Sequence, residues 1–539
     1  MRVALDWLQE YLEFSVAPQE ISHWLTQAGL EVERIEQTPL GTVLEISLTP
    51  NLNHCASIRG IARELTCLKG GQWKEPVFRL IESKQCKEKN HVTVRVVDQE
   101  ACPRYLCREI HNVRVGTSPQ WLRDRLETAG IRSINNVVDA PTSVLLELGH
   151  PLHAFDLHRL HDREITVARA IEGERIQTLD GKERVLTASD LTIRDARGPI
   201  ALAGIMGSQD AEVQESTTNI LLESAYFIPS CVRKTSKRLF LSTEASRRYE
   251  RGADPNQLLF SLDRAADLIQ QIAGGDIVPG VIEQSAKFFP PLSLICRLSR
   301  VQNLIGIAIS RGEVENILQA LDFQPEWDGQ DAFAIQIPSF RADIHQEIDV
   351  IEEIVRYYGF ENLPKKRPSY KTGQQKEPPL YLLEKQVRQL LLQMGLQEFL
   401  TCHLIGPTLL KLSLEKEEVS LIRVLNPTSL EQSVLRNSLL PCLLQVAKHN
   451  WDHQIADLSG FEIGKVYFHD VASSASNGHM PYREQMAMGM VLMGQSYPSF
   501  WGETARNWDF FDLRGLLERL LASLRIQAYF SPYASSNLH

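Results

Sequence analysis

Apolar and polar positions change period several times along the chain, and each change marks an element. In PQEISHWLTQAG (18–29) apolar residues recur at helical spacing, with Pro at the start and Gly at the end, which predicts a short helix. TVLEISL (42–48) alternates as a strand, TPN (49–51) is turn chemistry, and SIRGIARELTCL (57–68) returns to the helical period. Residues 1–83 therefore read as a small α+β domain. Polar KQCKEKNH (84–91) reads as a linker. From 93 to 285 the runs VTVRVV, EITVARA, DLTIRD, PIALAGIMG and NILLESAYF predict strands, separated by turn signals such as LDGK (179–182). Two helical stretches, SPQWLRDRLETAG (118–130) and DPNQLLFSLDRAADLIQQIAGG (254–275), interrupt them, giving an α+β domain rich in sheet.

FFPPL (288–292) marks the next boundary. Residues 293–365 then read strand, helix (SRGEVENILQAL), strand (FAIQIP), helix (HQEIDVIEEIVRYYG). KKRPSYKTGQQKEPP (365–379) is a polar, Pro-bearing linker. A last domain, 380–539, opens with the helix LEKQVRQLLLQMG and continues through strand-like EFLTCHLI and SLIRVL. The chain stops at SSNLH with no cap, turn or tail, which reads as a truncation. The fold class expected is α+β multidomain.

Bulk numbers add limits. A chain of 539 residues is too long for one core. Hydrophobic content of 43% and charged content of 23% fit a globular protein in water, and no uncharged apolar run approaches the roughly 20 residues of a membrane span. MRVALDWLQEYLEF is amphipathic and acidic, unlike a signal peptide. Nine cysteines without a CxxC pair read as reduced thiols of a cytoplasmic protein. A net charge of -10 argues against the broad footprint of a general nucleic-acid binder while leaving room for a local basic patch.

The densest charge lies in RADIHQEIDVIEEIVRYYGF (341–360), where Asp343, Glu347, Asp349, Glu352 and Glu353 stand among large apolar residues. Asp343 suits a helix N-cap. Ile344, Ile348, Ile351 and Val355 then form one buried stripe, and Asp349, Glu352 and Glu353 share a face, where like charges repel by a few tenths of a kcal/mol per pair. A cation would offset that cost, and oxygen ligands without His or Cys suit Mg²⁺ or Ca²⁺. The alternative is a solvated acidic face near a helix N-terminus.

CVRKTSKRLFLSTEASRRYERG (231–252) is the strongest basic cluster: Arg233, Lys234, Lys237, Arg238, Arg247, Arg248 and Arg251 face only Glu244 and Glu250. Ser242 or Thr243 can cap a helix running into Arg251. The cluster reads either as an anion site suited to phosphate or as a salt-bridged surface. GHPLHAFD (149–156) lacks metal-ligand spacing and reads as structural, and the glycines of ALAGIMGS (201–208) suit close backbone approach rather than a nucleotide loop. No GxSxG motif or nucleophile pair is present.

Seven stretches, in order and spanning nearly the whole chain, resemble the β subunit of bacterial phenylalanyl-tRNA synthetase. They are TPNLNHCASIRGIAREL (49–65), INNVVDA…LLELGHPLHAFD (134–156), LLESAYF (221–227), STEASRRYERGADP (242–255), IPSFRADIHQEIDVIEEIVRYYGFENLP (337–364), NPTSLEQSVLRNSLLPCLL (426–444) and FEIGKVY (461–467). The resemblance implies a subunit that pairs with a catalytic α subunit as an (αβ)₂ heterotetramer, α binding ATP and phenylalanine and carrying out transfer to tRNA(Phe). It implies a B3/B4-type editing domain at 93–285 that hydrolyses tyrosine wrongly attached to tRNA, a winged-helix-like B5 domain at 293–365, and at 380–539 a catalytically inactive class II synthetase-like antiparallel sheet.

Residue by residue, the editing pocket maps to His153, Gly207, Glu223, Thr243 and Ala245. A Mg²⁺ site facing the partner maps to Asp343, Asp349, Glu352 and Glu353, with these acids turned outward. The tRNA end is expected near Arg233, Arg247, Arg248 and Arg251. The sequence departs from the family at Ala140-Pro141-Thr142-Ser143, where many members have VTNY, and at Ser242, where His is common. The OB-fold tRNA-binding insertion and the C-terminal anticodon-binding domain have no counterpart in it. Two other classes compete: a free-standing hydrolase that clears mischarged tRNA, and a non-catalytic assembly protein.

Overall fold

The computed structural model describes residues 1–69, 73–83, 92–365, 376–412, 421–469, 482–498 and 500–531. The expected linker 84–91, most of the linker 365–379 and the chain end SSNLH lie outside the described residues. The chain divides into two compact units, residues 1–367 and 368–539.

The first unit spans the residues of the first three expected domains. At its start, strands Arg2–Ala4, Gly41–Ile46 and Val32–Thr38 form an antiparallel sheet with Gly41–Ile46 in the middle. Helices Pro18–Gln27 and Ile58–Lys69 cover it. The core of this region is not its own. Trp7, Leu44 and Ile61 share one buried cluster with Leu122, Leu126, Leu145 and Leu146 from helices Gln120–Thr128 and Asn136–Leu148. Residues 1–83 therefore remove part of their apolar surface from water only against the following region.

That region contains two five-stranded sheets. One runs Met206–Gly207, Pro199–Leu202, Leu191–Arg194, Glu164–Arg169, Thr93–Val96, with the last two strands parallel. The other centres on the antiparallel strands Arg104–His111, Ile220–Tyr226 and Leu152–Asp156. Its buried face packs on helices Asn136–Leu148 and Leu258–Ala273. All five runs expected as strands fall on strands, PIALAGIMG being split into two by the Ala203–Ile205 turn.

Helix Asn136–Leu148 has no counterpart among the expected elements. It carries Pro141 in its interior, which argues against a helix, and its polar residues Asn136, Asp139, Ser143 and Glu147 are buried along with its apolar ones. Asn135 caps it by accepting from the Val137 and Val138 amides, and Gly149 ends it at φ 79°.

Residues 292–358 form a three-stranded antiparallel sheet, Leu292–Arg297, Ala332–Ile337 and Gln324–Trp327, covered by helices Leu298–Ile305, Arg311–Ala320 and Glu347–Tyr358. The last helix corrects two expectations. Gln346, not Asp343, stands at its N-cap, and of the expected stripe Ile344, Ile351 and Val355 are buried, joined by Val350 and Ile354, while Ile348 is 40% exposed.

In the second unit, strands Leu458–His469 and Tyr482–Met493 pair over twelve residues, and Gln397–Glu398 adds in parallel at the edge. Helices Pro379–Gln393, Leu440–Asp452 and Phe510–Ser523 accompany them. The run SLIRVL forms no strand over its described residues, 421–425.

Candidate functional site

His153 and Glu223 are direct cross-strand partners on Leu152–Asp156 and Ile220–Tyr226, so their side chains leave the sheet on one face. There they meet a pocket of about 70 Å³. Gly207 and Ala245 line it too, with Met206, Phe227 and Tyr249 among the other walls. Four of the five residues expected to form the pocket thus converge, from three strands and one short helix. Thr243 stands behind the wall. Its hydroxyl donates to the Ile205 carbonyl at 2.9 Å and accepts from the Ser246 amide at 3.0 Å, capping helix Glu244–Tyr249.

The glycines of ALAGIMGS do what their spacing suggested. A Cβ on Gly207 would lie 2.8 Å from His153 Nε2, and one on Gly204 2.9 Å from the Tyr249 ring. Tyr249 is anchored by its hydroxyl, which donates to the Pro151 and Ala225 carbonyls at 3.1 and 2.9 Å. Neither Tyr249 nor Phe227 was legible as a pocket residue, because an aromatic at such a position reads as core. His150 is structural, as expected: its Nε2 meets the Ser224 hydroxyl at 3.0 Å inside the fold.

Burial sets the charge of the pocket. It raises the Glu223 carboxyl to about 8 and lowers the His153 imidazole to about 4. At neutral pH the pocket therefore presents a protonated carboxyl and a neutral imidazole. The carboxyl can both donate and accept a hydrogen bond, and the imidazole can accept one from water.

Helix Glu244–Tyr249 separates this pocket from a second cavity of about 520 Å³. Ala245 and Tyr249 line the first, while Glu244, Arg247, Arg248 and Arg251 line the second together with Met1 and Arg2. Arg247 and Arg251 are exposed there, and Arg233 is exposed on helix Pro229–Leu239. Arg248 must be removed from the expected RNA-contacting set. It is 3% exposed and donates to Glu244 at 2.7 Å and to the Ala56 carbonyl at 3.1 Å, so it is a structural brace.

The acidic helix differs most from expectation. Asp343 accepts two bonds from Arg341, at 3.0 and 2.7 Å. Glu353 is 2% exposed, points inward, and is shared by Arg341 at 2.5 Å and Arg356 at 2.7 Å. Burial alone would raise both carboxyls, but the guanidinium groups hold them below their ordinary values. Asp349 caps the helix by accepting from the His345 and Gln346 amides, and Glu352 is exposed. Glu347 is held by Arg297 at 2.7 Å.

These four acids do not fit a single ligand set. Among the described residues, the group of three or more His, Cys, Asp and Glu whose donor atoms come within 4.8 Å of one another is His54, Cys55 and Glu64, which includes none of them. That group suits a cation no better, because Arg356 and Tyr357 both donate to Glu64 Oε2, at 2.5 and 2.6 Å, and His54 occupies Oε1 at 2.9 Å.

Comparison with known proteins agrees with this architecture. Residues 101–274 match the B3/4 domain model, 294–360 the tRNA synthetase B5 domain model, and 363–539 the phenylalanyl tRNA synthetase beta chain CLM domain model. The phenylalanine–tRNA ligase beta subunit of Protochlamydia amoebophila is 49% identical over 488 residues, covering 90% of this chain and 60% of that one. The beta subunit from Geobacter metallireducens is 41% identical over 495 residues, with the same coverage of each. The chain belongs to the phenylalanine–tRNA ligase beta-subunit family. It spans 60% of the length of these relatives. An N-terminal fragment of the Pyrococcus horikoshii phenylalanyl-tRNA synthetase beta subunit covers 67% of this chain and 99% of its own at 16% identity and a TM-score of 0.38. Among the described residues no helix is long and apolar enough to cross a membrane.

Proposed function

We propose that this chain acts as the β subunit of a cytoplasmic phenylalanine–tRNA ligase, assembling with a catalytic α subunit as (αβ)₂, and that the 101–274 domain hydrolyses tyrosine wrongly attached to tRNA(Phe). The observation that carries the editing reading is the convergence of His153, Gly207, Glu223 and Ala245 on one pocket. A neutral, buried Glu223 can exchange a hydrogen bond with a phenol hydroxyl. Phenylalanine would leave that carboxyl unpaired, and a buried polar group without a partner costs about 1–3 kcal/mol. The pocket therefore favours tyrosine over the cognate amino acid by chemistry rather than size. His153 offers a neutral nitrogen that can orient a water toward the ester carbonyl. Exposed Arg247 and Arg251, across the 244–249 helix, are placed to attract the phosphates of the tRNA end.

A Mg²⁺ site shared with the partner reduces to Asp349 and Glu352, the two acids of the four that no arginine holds among the described residues. We assign no step to it. The second unit is taken as the synthetase-like domain that packs on α, consistent with its CLM match. The B5 and CLM matches weigh against a free-standing hydrolase, which would need neither region.

The test is co-expression with an α subunit followed by incubation with tyrosyl-tRNA(Phe). A complex on gel filtration and tyrosine release well above an α-only control are expected. No complex would overturn the subunit reading, and a complex with only background release would overturn the editing reading.

A further inference from the structure

Two neighbouring residues of one turn hold two different machines. The 3₁₀ turn Asn53–Cys55 lies in the N-terminal region. Asn53 Nδ2 donates to the Arg248 carbonyl at 3.2 Å and to the Gly252 carbonyl at 2.8 Å. Those carbonyls end helix Glu244–Tyr249, whose other face supplies Ala245 and Tyr249 to the pocket. Arg248 Nε returns a bond to the Ala56 carbonyl, one residue past the turn. The wall of the pocket is thus fastened from outside its own domain.

The next residue, His54, is fastened to something else. Its Nε2 meets Glu64, which accepts from Arg356, which holds Glu353, which Arg341 joins to Asp343. The side chains of His54, Glu64, Glu353, Arg341 and Arg356 are at most 5% exposed. Water screens such a chain little, and breaking one member leaves buried charge uncompensated. The chain runs from the 292–358 domain into the N-terminal helix Ile58–Lys69.

The turn cannot shift freely between these attachments. Ser57 Oγ accepts from the Gly60 amide at 2.9 Å, and a Cβ on Gly60 would sit 1.9 Å from the His54 carbonyl oxygen, so the turn lies directly on the first turn of that helix. A displacement of His54 therefore carries Asn53 with it.

We propose that Asn53 is a positioning residue for the pocket at His153 and Glu223, and that the Asn53–His54 turn couples the buried arginine–carboxylate chain of the 292–358 domain to the pocket wall 244–252. The consequence for editing rests on the function proposed above; the mechanical coupling does not. Whatever rearranges Arg341, Arg356, Asp343 or Glu353 would then alter the placement of Ala245 and Tyr249 without touching substrate.

The experiment compares the full chain in complex with α, unmodified and as Asn53→Ala, Glu64→Gln and the double variant, with Asn53→Ser as a milder replacement should Asn53→Ala fail to fold. Amide hydrogen exchange is read over 244–252, with 458–466 of the second unit as the control. Loss of the Asn53 bonds is expected to speed exchange at 244–252 about tenfold, the scale of one hydrogen bond, and leave 458–466 unchanged. Glu64→Gln is expected to act at 244–252 in the same direction, and the double variant to fall short of the product of the two single effects, as coupled sites do. Release of tyrosine from mischarged tRNA is expected to fall in kcat more than it rises in KM, with phenylalanine charging unchanged. Unaltered exchange at 244–252 in a folded Asn53 variant overturns the positioning role, and a Glu64→Gln effect confined to 353–356 overturns the coupling. No tyrosine release by the unmodified complex would count against the editing function alone, and exchange would still decide the coupling.

Discussion

Arg356 Nη1 donates to Glu64 Oε2 at 2.5 Å, joining two buried side chains 292 positions apart. Burial would raise the Glu64 carboxyl, yet Arg356 and His54 hold it well below its ordinary value, so the pair is charged inside the fold. Arg356→Leu removes the one guanidinium that Glu64 and Glu353 share. It is expected to destabilise the first unit by about 3–5 kcal/mol, as removal of one partner of a buried pair does. Arg297→Ala breaks a pair whose arginine is half exposed and screened by water, and is expected to cost far less. Urea unfolding of both variants measures the contrast, and equal shifts would contradict it.

The same contrast separates a structural from a metal role for the acidic helix. In EDTA, Asp343→Asn and Glu353→Gln are expected to lower stability by about 2 kcal/mol or more, because Arg341 loses anionic partners within the fold. Glu352→Gln, on an exposed side chain, is expected to change it by under about 0.5 kcal/mol. Four metal ligands would instead behave alike in chelator, with their effects appearing only on adding Mg²⁺.

Glu223 gives stability a pH dependence of known sign. Its folded value of about 8 lies above the ordinary 4.5, so the folded protein holds that proton more tightly than the unfolded chain. The contribution is complete below about pH 4.5 and is lost as pH rises through 8. Glu223→Gln cannot ionise and should lose this slope, melting above the unmodified protein at pH 8.5 while matching it more closely at pH 5. Parallel melting curves across that range would show that Glu223 is not buried as a neutral acid.

How much of this was written legibly in the sequence depends on the element. Strand Ile220–Tyr226 and helix Arg311–Ala320 declare themselves by β-branched or apolar runs and by the Ser310–Glu313 capping box. Helix Asn136–Leu148 does not, because Pro141 in its interior argues against a helix. The pocket residues came from resemblance, since His153 and Glu223 lie 70 positions apart and only sheet pairing brings them together. Charge counting misled at Glu353: an acid at i+4 of an acidic face looks solvated, and nothing local shows that Arg341 and Arg356 enclose it. The same holds for Arg248, one arginine of a basic cluster that the fold turned inward.

Gly207→Ala tests the pocket without removing any polar group. The added methyl would lie 2.8 Å from His153 Nε2 and 3.3 Å from Leu179, so the imidazole must move. A displacement near 1 Å at a reacting site costs on the order of 100-fold in rate. Tyrosine release from mischarged tRNA is expected to fall by about that factor with phenylalanine charging unchanged. Retained release would place the hydrolytic site elsewhere.

Gly60→Ala sets two effects against each other. On helix propensity alone alanine should stabilise helix Ile58–Lys69 by about 1 kcal/mol. The new Cβ would meet the His54 carbonyl oxygen at 1.9 Å and Cys55 Cα at 2.9 Å, both backbone atoms that no rotamer change can clear. Relief requires the Asn53–Cys55 turn to lift off the helix. That strains the Asn53 bonds to Arg248 and Gly252 and the His54 bond to Glu64 together. Each neutral bond contributes about 1 kcal/mol, and the charged one more. Steric overlap should therefore win, with a net loss of about 2–4 kcal/mol and faster hydrogen exchange at both 244–252 and 353–357. A more stable Gly60→Ala protein would mean that the turn and the helix do not touch as closely as this.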